Sequence, residues 1–198
     1  MRSKTLLVIA ALTMALVIAP ATFASTNLLN NGSFETGDFT GWNTGGNFEF
    51  TQVVSGPFYV YNGAEDGNFY TTMGPVGSDG TLSQSFSTTA GAHYTFSFWM
   101  ASVGDSPSDF SAYWDGTQVY AQTNPNTGGV WTEFTFDEVG TGSDSISFAF
   151  RDDPAYIALD NVSVVQSGGG GVPEPSSLFL MGSGLLGLGG VIRRKLGR

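Results

Sequence analysis

Between Asn27 and Val165 apolar and polar residues alternate in short runs, and no stretch sustains a period of 3.6. Clusters of Gly, Asp, Asn and Pro separate the runs, as turns separate strands. The pattern predicts strands over Phe48–Val54, Asn68–Met73, Leu82–Phe86, His93–Ala101, Ser111–Trp114, Gln118–Ala121, Trp131–Phe136, Ser145–Phe150 and Ile157–Val165. The clearest run begins at His93: Tyr94, Phe96, Phe98 and Met100 share one face, and Thr95, Ser97 and Trp99 share the other. The first set reads as core. Asp115-Gly116, between two runs, predicts a two-residue hairpin, because a type I′ turn needs positive φ at both central residues. So many short strands point to an all-β, two-sheet antiparallel sandwich over residues 25–166.

The two ends read differently. Residues 1–24 place Arg2 and Lys4 before an apolar stretch from Leu6 to Ile18, then Pro20 and the small-residue site Ala21-Thr22-Phe23-Ala24, the order of a secretory signal peptide cut after Ala24. Residues 167–171, Ser-Gly-Gly-Gly-Gly, form a linker with nothing apolar to fold around. Beyond it come Val172-Pro173-Glu174-Pro175, an apolar run over 178–192, and the basic residues Arg193, Arg194, Lys195 and Arg198. As a helix that run spans roughly 22 Å against about 30 Å of hydrocarbon, a weak anchor. The basic cluster keeps its end in the cytoplasm and places the domain across the inner membrane.

This tail, covering 172–198, resembles the PEP-CTERM sorting signal. The resemblance implies recognition by an exosortase-type membrane protease, transient anchoring in the inner membrane of a Gram-negative bacterium, and release or attachment at the cell surface or outside it.

Removing the ends changes the charge. The central domain holds sixteen carboxylates and one basic side chain, Arg151. Such a surface repels phosphate backbones and argues against nucleic acid as a partner; it suits neutral glycans, cationic partners, bound Ca²⁺ or plain solubility. The chain has no Cys, so neither disulfides nor thiolate metal sites exist.

Asn31-Gly32-Ser33-Phe34-Glu35 followed by Gly41-Trp42, the hairpin Trp114-Asp115-Gly116, Trp131, and the closing Leu159-Asp160-Asn161-Val162-Ser163-Val164 together resemble the galactose-binding-like jelly roll of many carbohydrate-binding modules. That resemblance implies that the first and last strands lie side by side, bringing Glu35 and Asp160 together as ligands of a structural Ca²⁺, with Asp66 or a carbonyl near Gly37 as further donors. The alternative is that both carboxylates cap turns or bond backbone amides. It also implies sugar recognition by an exposed aromatic ring with polar neighbours. Trp99 is the leading candidate, with Thr95 and Ser97 on the same face; either Tyr113 or Trp114 joins them, and alternation does not say which faces outward. Trp42 and Trp131 are assigned to the core. With one His and no Cys, and with Asp152-Asp153 and Glu65-Asp66 as adjacent pairs that point oppositely in a strand, the sequence favours a non-catalytic protein. Two functions follow: a module bound to extracellular polysaccharide in a biofilm matrix, or an acidic structural protein that binds no sugar.

Overall fold

The computed structural model describes residues 26–167. The signal peptide, the glycines of the linker, the sorting motif and the apolar run over 178–192 lie outside the described residues. Among the described residues no helix is long and apolar enough to cross a membrane.

Ten strands form two antiparallel sheets. In chain order they are β1 (Asn43–Gly46), β2 (Gln52–Ser55), β3 (Phe69–Met73), β4 (Gly80–Ser87), β5 (His93–Ala101), β6 (Ser108–Trp114), β7 (Thr117–Thr123), β8 (Thr132–Val139), β9 (Ser143–Asp152) and β10 (Ile157–Gln166). One sheet runs β1-β4-β9-β6-β7 and the other β2-β3-β10-β5-β8. The alternation seen in the sequence sets the packing. Leu82 and Phe86 of β4, Phe110 and Trp114 of β6, and Ile146, Phe148 and Phe150 of β9 point inward from the first sheet; Phe96, Phe98 and Met100 of β5 meet them from the second. Phe98 lies within 5.3–6.0 Å, centroid to centroid, of Phe148, Phe134, Phe110, Phe136 and Tyr120, so the phenylalanines of this chain are largely spent on the core.

Two expectations shift in detail. The run Phe48–Val54 does not form one strand: Phe48 turns inward against Phe39 and Phe150, Phe50 adopts a φ of 57°, and the strand starts only at Gln52. The short β1 ahead of it, Asn-Thr-Gly-Gly, carries no apolar alternation and was invisible to periodicity. The hairpin at Asp115-Gly116 forms as expected, with φ of 46° and 75°.

The opening motif is a knot of hydrogen bonds rather than a strand. Asn31 Nδ2 donates to the carbonyls of Asp38 and Thr40, its Oδ1 accepts from Thr36 N, and its own carbonyl accepts from Trp42 Nε1 at 3.0 Å. This seats Trp42 on Phe34, ring centroids 5.6 Å apart. The segment before it lies along β10: Leu28 N donates to Val164 O, and Val162 N donates to Gly32 O. A Cβ at Gly32 would stand 2.1 Å from the Val162 carbonyl, which is why glycine is required there.

Candidate functional site

Trp99 is carried outward on β5, the second strand from one edge of its sheet. Register places Glu133 of β8 opposite it on one side and Asp160 of β10 on the other. The next rows read Thr135, Ser97, Ser163 and Asp137, Thr95, Val165. Directly opposed residues share a face, so this surface sets one large ring among hydroxyls and carboxylates. Trp99, Ser97 and Thr95 are partly exposed, and Glu133, Thr135 and Asp137 are open to solvent. Thr95 Oγ1 lies 2.6 Å from Ser167 Oγ. Trp42, Trp114 and Trp131 each pack against other rings, whereas Trp99 alone has no aromatic neighbour among the described residues.

One end of this face is walled by the loop between β2 and β3. Tyr61 and Tyr70 cluster there with Ala101 and Ala158, and Phe58, Ala64, Trp131 and Tyr156 pack against them. Trp131 is therefore packed, as expected, but in this outer cluster rather than between the sheets; its Nε1 donates to Gly63 O at 3.1 Å.

Two carboxylates grip the loop. Asp160, fully buried, accepts at Oδ2 from Glu65 N (2.8 Å) and Asp66 N (3.0 Å), and at Oδ1 from Asn161 N (2.7 Å). Asn161, with a φ of 45°, sits in the β-bulge of β10 and donates from Nδ2 to Glu65 Oε2. Burial pushes the Asp160 carboxyl up to about 7 against the pull of the three amides. Further along the same loop, Glu35 Oε1 accepts from Asn68 N (2.7 Å) and Phe69 N (2.8 Å). Its burial acts upward, but those amides and the Asn68 side chain outweigh it and hold the carboxyl below its ordinary value. Gly67 makes this approach possible: at φ 67°, any Cβ would stand 2.4 Å from the Glu35 carboxyl.

Glu35 and Asp160 thus act on successive stretches of one loop. Glu35 Oε1 and Asp160 Oδ2 each accept two amides, while Glu35 Oε2 is met only by Asn68 Nδ2 at 3.4 Å and Asp160 Oδ1 by the one amide of Asn161. In this arrangement both carboxylates bond backbone amides of the loop. Among the described residues, no three acidic or histidine side chains gather as a metal cluster.

The other aromatic candidates part company. Trp114 is not available to a ligand: it continues the inward row of β6, is 4% exposed, and packs on Phe86, Tyr94 and Phe96. Tyr113 faces outward, but from the opposite sheet, opposed to Ser147 of β9 and Gln118 of β7. It lies on the far side of the sandwich from Trp99. The acidic neighbours Glu133 and Asp137 were not singled out from sequence, although the alternation of β8 exposes them; pairing with β5 is what brings them to Trp99.

A family model described as the PEP-CTERM protein-sorting motif matches residues 171–195. The chain carries a PEP-CTERM sorting signal. That signal implies an exported exosortase substrate. No curated protein matches the PEP-CTERM chain. Among solved structures its domain is similar to TmCBM61, solved in complex with β-1,4-galactotriose: TM-score 0.59, 19% identity, 72% of this chain and all of that one covered. It is also similar to the CBM22-1 xylan-binding domain of Paenibacillus barcinonensis Xyn10C (TM-score 0.51, 20% identity, 74% and 97% covered) and to the K1 cleaved adhesin domain of Lys-gingipain from Porphyromonas gingivalis W83 (0.51, 14%, 66% and 96%). At these identities the likeness establishes the jelly-roll β-sandwich shared with carbohydrate-binding modules.

Proposed function

We propose that this PEP-CTERM protein is a non-catalytic carbohydrate-binding module, delivered to the cell surface or matrix and bound there to a neutral polysaccharide. The observation that carries the reading is Trp99: a ring with no aromatic partner among the described residues, partly exposed on the sheet face, flanked by Ser97, Thr135 and the Glu133 carboxylate. A ring face of this kind stacks on the apolar side of a pyranose, and the flanking oxygens bond its hydroxyls. The neutrality of the ligand follows from the sixteen carboxylates of the domain, which disfavour an anionic polymer. Two structural neighbours, one solved with β-1,4-galactotriose and one a xylan-binding domain, supply the first sugars to try.

Tyr113 supports a second placement of the same function. It stands in a row with Asn43, Ser83, Ser147 and Gln118 that crosses the whole of the other sheet. Small side chains there leave a surface against which a chain polymer can lie. Binding of the purified protein to galactan, xylan and the host's own exopolysaccharide decides between them. Trp99→Ala is expected to weaken binding at least about tenfold, the loss of one stacking contact, with folding intact. Loss in Tyr113→Ala alone moves the site to the opposite face. No binding by folded wild-type protein overturns the module and leaves the acidic structural protein.

A further inference from the structure

We propose that Asn62 is a site of spontaneous modification, deamidated through attack of the Gly63 backbone nitrogen on its side chain. The chain has two Asn-Gly pairs, Asn31-Gly32 and Asn62-Gly63. In such a pair no Cβ crowds the attacking nitrogen, because glycine follows the asparagine. The usual structural use of the pair is a two-residue hairpin turn with positive φ at both positions. Asn62 and Gly63 do not serve that use: of the two only Gly63, at 146°, has a positive φ, and Tyr61 pairs backward with Phe58 rather than across the pair.

The fold holds the two pairs differently. The Asn31 side chain is fixed by three hydrogen bonds, donating from Nδ2 to the carbonyls of Asp38 and Thr40 and accepting at Oδ1 from Thr36 N. Its carbonyl is held by Trp42 Nε1, and Gly32 lies against the Val162 carbonyl. Asn62 is exposed, and among the described residues neither its side chain nor Gly63 N has a hydrogen-bond partner. A Cβ at Gly63 would meet nothing within 4 Å, so no neighbour is packed against the rotation that brings Gly63 N to Asn62 Cγ. In the reaction Gly63 N bonds to Cγ, and the side-chain nitrogen leaves as ammonia with the proton that Gly63 N gives up. Water then opens the cyclic imide at either carbonyl, leaving an aspartyl or an isoaspartyl residue. The isoaspartyl form carries the main chain through Cβ and lengthens it between two anchored points. On one side Tyr61 is tied to Phe58 and donates from Oη to the Tyr156 carbonyl; on the other, Gly63 O accepts from Trp131 Nε1 at 3.1 Å. That product loosens the loop that walls the Trp99 face, and both products add a carboxylate to a loop that already carries Glu65 and Asp66.

The test ages the purified full chain in mildly alkaline buffer, natively and in urea, and follows both Asn-Gly peptides by mass spectrometry with the isoaspartyl form resolved from the aspartyl form. In the native protein Asn62 is expected to convert at least about tenfold faster than Asn31, because three side-chain hydrogen bonds must open before Asn31 can react. In urea the two rates are expected to converge, since the difference belongs to the fold. Hydrogen exchange of the aged protein is expected to show protection lost around residues 58–66 and kept in β9. Asn62→Gln, an exposed substitution, is expected to abolish the conversion at that peptide and to keep loop protection on ageing, with unfolding of the fresh protein unchanged. Equal native rates at the two pairs overturn the proposal, as does faster conversion at Asn31, or a native Asn62 that stays intact while both convert in urea.

Discussion

Asp160→Ala tests the loop clamp on which the candidate sugar face rests. The substitution removes an acceptor from three amides; those of Glu65 and Asp66 belong to the loop and have no other partner among the described residues. An orphaned buried donor costs about 1–3 kcal/mol, so two cost about 2–6 kcal/mol. Relief of the buried carboxylate, whose pKa is already pushed up to about 7, works the other way and brings the expected loss to about 2–4 kcal/mol. For a domain of this size that is on the order of 5–15 °C in Tm. Denaturant unfolding gives the energy, and hydrogen exchange locates it: protection should fall at the amides of 64–69 and at Trp131, whose Nε1 bonds Gly63, while the β9 amides lose only the global amount. Chelator should not reproduce the effect, since these amides bond the carboxylate directly. A loss under about 1 kcal/mol with loop protection intact, or a chelator effect equal to the mutation, would refute the capping argument.

Asp144→Asn bears on acid stability. Burial acts upward on this carboxyl, but Thr88 Oγ1, a hydrogen bond shared with the Asp115 carboxyl, and the Thr141 amide and hydroxyl outweigh it and hold it down at about 2. A depressed folded pKa contributes stability that is full above the unfolded value of 3.8 and is lost as pH falls toward 2. The wild-type advantage over Asp144→Asn should shrink across that window in acid titrations monitored by Trp fluorescence. Trp114→Ala should cost about 3–5 kcal/mol in urea unfolding, because Phe86, Tyr94 and Phe96 lose their shared partner. Tyr113→Ala, one residue away and outward, should cost under about 1 kcal/mol.

The all-β class, most strands and the identity of the core were legible in the sequence because a strand has a period of two and one buried face. Tyr94, Phe96, Phe98 and Met100 cannot be placed any other way, and the hairpin at Asp115-Gly116 follows from the φ values its turn demands. The sorting tail was equally legible, since it is a contiguous motif recognised by its order. Tertiary structure alone decided which outward faces belong together. Alternation says that Trp99 and Tyr113 both point away from the core, but only strand order shows that they point away from different sheets. It says nothing about whether Glu35 and Asp160 face each other or a loop; that depends on the course of residues 56–67 and on Gly67 admitting the Glu35 carboxyl. Asp152 looked like one half of an adjacent acidic pair. Its burial is set by where β9 ends between the two sheets, a long-range fact that no local pattern carries.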